Sequence, residues 1–270
     1  MSDPREAALL ERLGGLPGVI VAFSGGVDSA VLLHAATRAL PGDRVVAVTA
    51  RSPSLAAPEL DAALAFGRSL RVDHRVLDTR ELERPEYRRN DRDRCYHCKQ
   101  ELFDAVLEAL GEHVRERGFA LAFGAITDDL ADHRPGARAA RERGVLAPLA
   151  DAGFDKTAVR AYARRHALSV AEKPSMPCLS SRVAYGLEVD APLLARIERG
   201  EELLHGLGFV DCRLRHHGDV ARIEVPAAEL PRLVALSDRI EPALRALGWR
   251  WISADLRGLR SGSLNDVLSR

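Results

Sequence analysis

The apolar positions fall into short continuous runs separated by stretches of helical period. Residues 19–23 (VIVAF) are apolar on both faces and read as a fully buried parallel strand. Ala30, Val31, Leu33 and His34 then start a helical pattern, which predicts a helix over residues 28–40 that Pro41-Gly42-Asp43 ends. Residues 44–50 read as a second buried strand, 58–70 as a helix and 72–77 as a third strand with weaker alternation. The basic, proline-containing stretch 80–94 reads as a loop, 96–117 as one long helix and 119–124 as a fourth strand. Strands alternating with helices predict an α/β fold built on a doubly wound parallel sheet, with ligands at the carboxyl ends of its strands.

Farther along, residues 127–144 are polar and arginine-rich, 146–149 are short and strand-like, and 156–166 predict another helix. A proline-punctuated loop, KPSMPCLSSRVAYG, carries Cys178. Beyond it the period changes: a helix over 191–207, a β-hairpin of 213–217 and 220–225 about His217-Gly218-Asp219, a helical stretch over 227–247 and a final alternating run over 249–256. This predicts a small α+β unit and a boundary near Gly186, giving domains of 1–185 and 186–270. No internal repeat or low-complexity segment interrupts the chain.

The first strand runs directly into Ser24-Gly25-Gly26-Val27-Asp28-Ser29. Two glycines let backbone approach a ligand closely, and the amides of a helix start present the positive end of the dipole, so this turn reads as a phosphate site. It matches neither the three-glycine dinucleotide fingerprint nor a Walker A loop. An ordinary glycine turn capped by Asp28 or Ser29 is the bland alternative.

Composition narrows the class. Hydrophobic residues make up 46% and charged residues 29% of 270, as in a soluble globular protein. Acidic and basic residues balance at 39 each, which gives no overall electrostatic footprint for nucleic acid. The amino-terminal stretch lacks the apolar centre of a signal peptide, and no apolar run approaches membrane-spanning length. Four cysteines then point to a reducing, cytoplasmic compartment with reactive or metal-binding thiols.

Cys95-Tyr96-His97-Cys98 opens a helix, so its two thiols share one face. A redox pair, half of a zinc site and part of an iron–sulfur site all remain open. Zinc calls for four ligands, and no second CxxC or HxxxH is present. Cys178 lies in the proline-punctuated loop, and Cys212, within VDCRLRH, reads as a buried strand thiol.

The 24–29 turn resembles the PP-loop of ATP pyrophosphatases. Together AFSGGVDS, DRCYHCKQELF, DDLADHRPG, CLSSRVAYG, LRHHGDVARIEVP and ADLRGLRSGSLND resemble the LarE family over nearly the whole chain. Its members are ATP-dependent sulfur transferases of nickel-pincer cofactor synthesis. The resemblance implies a PP-loop domain with a small carboxyl-terminal domain, assembly as a homo-oligomer, often a hexamer, and work alongside other proteins of that synthesis. It also implies a small-molecule substrate, pyridinium-3,5-biscarboxylic acid mononucleotide, whose carboxylates become thiocarboxylates. Carried over by residue, Ser24, Gly25, Gly26, Asp28 and Ser29 would hold ATP and Mg2+, with Asp28 facing the metal. Lys99 and Arg182 would lie beside nucleotide and substrate carboxylate, and Arg213 and Arg215 would clamp the substrate phosphate. Glu201 and Glu224 match acidic positions near a second metal; a solvated helix carboxylate and an outward strand residue are their alternatives. Cys178 matches the sulfur donor. In the sacrificial form that cysteine stands alone and ends as dehydroalanine; with Cys95 and Cys98 added, this chain resembles a three-cysteine form holding a 4Fe–4S cluster. Rival readings are tRNA thiolation, amidation by ammonia and a non-catalytic, zinc-stapled nucleotide-binding regulator.

Overall fold

The computed structural model describes residues 3–131, 135–174, 176–260 and 263–264. Motif residues 132–134, 175, 261–262 and 265–266 lie outside the described residues. The chain forms two compact units. One runs to Glu81 and resumes over Asp93–Met176; the other comprises Leu82–Arg92 and the chain from Pro177 onward. The sequence reading placed the division near Gly186.

The first unit is an α/β layer with a four-stranded, all-parallel sheet in the order β3-β2-β1-β4: β1 Val19–Ala22, β2 Val45–Arg51, β3 Asp73–Asp78 and β4 Ala120–Phe123. Successive side chains of a strand point to opposite faces. Val19 and Val21 of β1, Val45 and Ala47 of β2 and Ala122 of β4 therefore pack to one side, against Leu9 and Leu13 of the helix Pro4–Gly14, Ala30 and Val31 of Val27–Ala39, and Val159 of Lys156–Arg165. Ile20, Ala22, Val46, Val48 and Leu121 pack to the other, against Phe103 and Val106 of Arg94–Ala109 and Ala139 of Pro135–Glu142. Both faces are covered, so the central strands read as unbroken apolar runs. β3 is an edge strand with no fully buried residue, which explains its weaker alternation.

Three departures from the sequence reading have local causes. The expected helix over 96–117 starts at Arg94 and stops at Ala109; Leu110 is fully buried in a non-helical conformation, and a second short helix restarts at Gly111. The strand-like 146–149 makes a single bridge, Leu146 beside Ala122, after which Pro148 opens the helical turn Pro148–Asp151. The expected loop 80–94 contains the helical turns Glu81–Glu83 and Pro85–Arg88.

In the second unit β5 Arg213–His217 and β6 Val220–Glu224 form the expected antiparallel hairpin, with Gly218 at φ +66° in its turn. β7 Trp251–Ala254 adds parallel to β6, so the chain crosses over between them. The crossover includes two helices, Leu230–Ala235 and Ser237–Ala246, which break at Leu236 where one helical stretch was expected. The helix Ala191–Gly206 lies so close to β5 that a Cβ on Gly200 would stand 2.2 Å from Leu214 Cδ2.

Candidate active site

The 24–29 turn leaves the carboxyl end of β1. Gly25 adopts φ +74° and a Cβ there would meet Ala63 Cβ at 3.1 Å, so glycine answers both conformation and space. Gly26 stands at the cap of Val27–Ala39 without a side-chain cap bond. The hydroxyl of Ser29 instead turns back, donating to Gly26 O at 3.1 Å and accepting from Ser24 N at 3.2 Å. Asp28 sends both carboxylate oxygens to Lys156 Nζ, at 2.8 and 2.7 Å. The turn is therefore not an ordinary one capped by Asp28 or Ser29. Its helix start keeps uncapped amides beside an exposed Ser24, the arrangement that accepts an anion. The Asp28 carboxylate faces a compact cation, the Lys156 ammonium, and a carboxylate so placed is a group that could hold Mg2+.

Three residues at this loop escaped the sequence reading. Lys156 is one. Lys173 is the second: its Nζ donates to Gly25 O at 3.1 Å and pairs with Glu59 at 2.8 Å. Gly124 is the third: it follows β4, and a Cβ on it would stand 2.7 Å from Ser29 N. A compositional signal pointed to the lysines. Of 39 basic residues, three are lysines (Lys99, Lys156 and Lys173), so two of the three serve this loop. Lys99 is half-buried one residue beyond Cys98, with its Cγ 3.3 Å from where a Gly136 Cβ would be.

Cys95, exposed, and Cys98, half-buried, sit in the first turn of Arg94–Ala109. Thiols three residues apart on a helix are neighbours and can chelate as a pair. Among the described residues no three His, Cys, Asp or Glu side chains gather as a metal-sized group.

Cys178 is exposed and belongs to the second unit. Its loop is built by buried polar groups. Tyr87 OH meets Ser180 Oγ at 2.6 Å, and the Asn90 amide, fully buried, donates to the carbonyls of Val183, Ala184 and Leu187. Arg182 is 1% exposed and bonds the carbonyls of Pro177 and Cys178, while its Nε and Nη2 grip Glu201 at 3.0 and 3.1 Å. Glu201 accepts a third bond from Leu214 N at 2.9 Å. Arg182 and Glu201 thus meet each other and shape the loop that presents Cys178.

The hairpin repeats this pattern. Arg215 binds Glu224 through Nε and Nη2 at 3.0 and 2.8 Å, and Glu224, fully buried, also accepts from Arg222 and Ser263. Neither Glu201 nor Glu224 is the solvated group the alternatives described. Arg213 is buried, donates to Cys212 O at 2.6 Å, and has its pKa lowered by burial and then by the nearby charge of Arg182. Two polar atoms beside this cluster, His217 Nε2 and Arg222 Nε, are buried without a partner among the described residues. Cys212 is fully buried, as expected, but stands one residue before β5 rather than within a strand, and burial pushes its thiol up to about 12, which keeps it protonated at neutral pH.

No protein-family model matches the chain. It is 37% identical to an uncharacterized protein of Synechocystis sp., covering the whole of both chains. It is 34% identical to the pyridinium-3,5-bisthiocarboxylic acid mononucleotide synthase of Lactiplantibacillus plantarum, over 98% of this chain and 95% of that one. An uncharacterized protein of Methanocaldococcus jannaschii is 25% identical over 90% of this chain and 91% of its own.

Proposed function

The chain belongs to the LarE family, and on that premise we propose that it is an ATP-dependent sulfur transferase that turns the carboxylates of pyridinium-3,5-biscarboxylic acid mononucleotide into thiocarboxylates. The observation that carries this reading is the similarity to a named synthase of that product across 98% of the chain. The uncapped helix start after β1, with Asp28 beside it, supports ATP as the activating reagent.

The chemistry follows from the poor leaving group of a carboxylate. A carboxylate oxygen of the substrate attacks the α-phosphorus of ATP, and pyrophosphate departs with the bonding electrons. The amides of Gly26 and the first helical turn stabilise the charge gathering on pyrophosphate. Asp28 would hold Mg2+, which when bound would neutralise the same charge. Sulfur then attacks the acyl carbon and AMP leaves. If the thiolate of Cys178 attacks, a thioester forms; loss of the Cα proton and cleavage of the Cβ–S bond then release the thiocarboxylate and leave dehydroalanine. If Cys95, Cys98 and Cys178 hold a 4Fe–4S cluster, that cluster would supply hydrosulfide and spare the chain. The buried Arg182–Glu201 pair serves either route by fixing the carbonyls of Pro177 and Cys178, so that the thiol stays exposed.

The test is anaerobic incubation with substrate, ATP and Mg2+, followed by mass spectrometry of small molecules and protein. Thiocarboxylate and AMP in equal amounts support the reading; unchanged substrate overturns it. Dehydroalanine at 178 identifies the sacrificial route. About four irons per chain, lost in Cys98→Ala with Cys178 intact after turnover, identify the cluster.

A further inference from the structure

We infer that His74 is a positioning residue of the nucleotide loop: acting through Thr49, it holds the backbone from which the glycine turn departs, and it does so only as a neutral imidazole. The inference rests on the reading of residues 24–29 as an ATP site. An anion held by backbone amides needs the neighbouring carbonyls turned away from it. Here those carbonyls face donors. Gly25 O accepts from the Lys173 ammonium and Gly26 O from the Ser29 hydroxyl, while Phe23 O, where the strand ends, accepts from the Thr49 hydroxyl at 2.7 Å.

Thr49, 1% exposed, has one hydroxyl proton, and that proton goes to Phe23 O. Its oxygen must therefore accept from His74 Nε2, 2.8 Å away, so Nε2 carries the hydrogen and Nδ1 a lone pair. The donors then run in one direction. His74 donates to Thr49 and Thr49 to Phe23 O; across the same peptide, Ser24 N donates to Ser29 Oγ at 3.2 Å, and Ser29 to Gly26 O at 3.1 Å. Aligned bonds of this kind strengthen one another, which couples the imidazole to the glycine turn.

Packing does not call for a histidine at this place. The ring lies 5.6 Å from the Phe23 ring and against the bare backbone of Gly67, where an aromatic hydrocarbon would fill the same space. Nδ1 is buried without a partner among the described residues, and a Cβ on Gly67 would stand 2.3 Å from it. An apolar ring would carry no such deficit, so the bond to Thr49 is what histidine adds. The same closure penalises the imidazolium, whose Nδ1–H would find no acceptor. Burial, then the charge of Arg68 on the helix Ala57–Leu70, lowers the pKa of His74, and Asp73 on its own strand opposes them. Phe23 and Thr49, which face the ring from β2 and the end of β1, do not titrate. Protonation therefore drives the ring from its slot, leaving Thr49 free to rotate and Phe23 O free to turn. Nucleotide binds the ordered loop and so prefers the neutral form. By linkage its affinity falls as pH drops through the lowered pKa of His74, which lies below 6.5.

The experiment measures ATP binding in excess EDTA by calorimetry, at about pH 7.5 and about pH 5, in wild type, His74→Gln and Thr49→Val. Glutamine offers an amide donor in place of Nε2 and does not titrate; valine keeps the shape of Thr49 without its hydroxyl. At the higher pH His74→Gln binds within a few-fold of wild type, whereas Thr49→Val binds about tenfold more weakly. On moving to the lower pH, wild type loses at least about threefold more affinity than either variant; titration of ATP and of other groups cancels in that comparison. Should one variant fail to fold, by circular dichroism, the other carries the comparison with wild type. Parallel declines in wild type and His74→Gln, or a folded Thr49→Val that binds like wild type at the higher pH, overturn the inference while wild type binds ATP. Wild type that binds no ATP overturns the nucleotide reading itself, and the inference with it.

Discussion

Removing the guanidinium of Arg182 should unfold the second unit far more easily, because its partner Glu201 is itself bonded to β5 through Leu214 N. Arg182→Met keeps a long apolar stem but leaves Glu201, 5% exposed, with Leu214 N as its remaining donor from the network described above, and takes donors from the carbonyls of Pro177 and Cys178. Breaking one side of a buried pair costs about 3–5 kcal/mol. With a urea slope of about 2 kcal/mol per molar, the midpoint should fall by roughly 1.5–2.5 M. Both tryptophans, Trp249 and Trp251, lie in this unit, so their fluorescence reports its unfolding specifically. Arg182→Met/Glu201→Gln replaces the stranded charge by an amide that still accepts from Leu214 N, and should recover about 2 kcal/mol of the loss. A loss under about 1 kcal/mol for the single variant, or a double variant no more stable than the single one, would refute the reasoning.

Gly124→Ala places a methyl 2.7 Å from Ser29 N, where backbone must move; ATP affinity should fall by about tenfold with a stability loss of about 1–3 kcal/mol, checked by calorimetry and thermal melting. Burial, followed by the charges of His166 and Arg38 and opposed by Glu6, lowers the pKa of His34 from 6.5 to about 4. The unfolded chain takes up that proton first, so the contribution is present above pH 6.5 and is lost as pH falls toward 4. His34→Gln should flatten the decline of the thermal midpoint over that window, measured by circular dichroism. Iodoacetamide at mildly alkaline pH should label Cys95 and Cys178 in the native protein and Cys212 only after denaturation, read by peptide mass spectrometry.

What the sequence disclosed depends on how local each cause is. β1, β2 and β4 were legible because sheets covered on both faces need continuous apolar runs. The hairpin was legible because Gly218 marks its turn between alternating strands. The segment 80–94 was not, since what ties its second half to the second unit is nonlocal: Tyr87 to Ser180 and Asn90 to three carbonyls more than ninety residues on. The helix break at Leu110 depends on that side chain turning into the core, which a helical period does not encode. At the site, the glycines and Asp28 stand in one contiguous turn and could be read directly. Lys156 and Lys173 reach it from 128 and 148 residues away, and only their rarity among basic residues marked them. The burial of Glu201 and Glu224 was hidden for the same reason, because a carboxylate's fate is decided by where its arginine stands.

The most direct test of the account follows one atom. Substrate carboxylates labelled with heavy oxygen are incubated with the protein, ATP and Mg2+, and the released AMP is weighed by mass spectrometry. Activation through an acyl adenylate requires the carboxylate oxygen to leave with AMP when sulfur attacks, so the account predicts AMP carrying one heavy oxygen for each thiocarboxylate formed. Thiocarboxylate accompanied by unlabelled AMP would contradict it, because ATP would then have been spent on water rather than on the substrate.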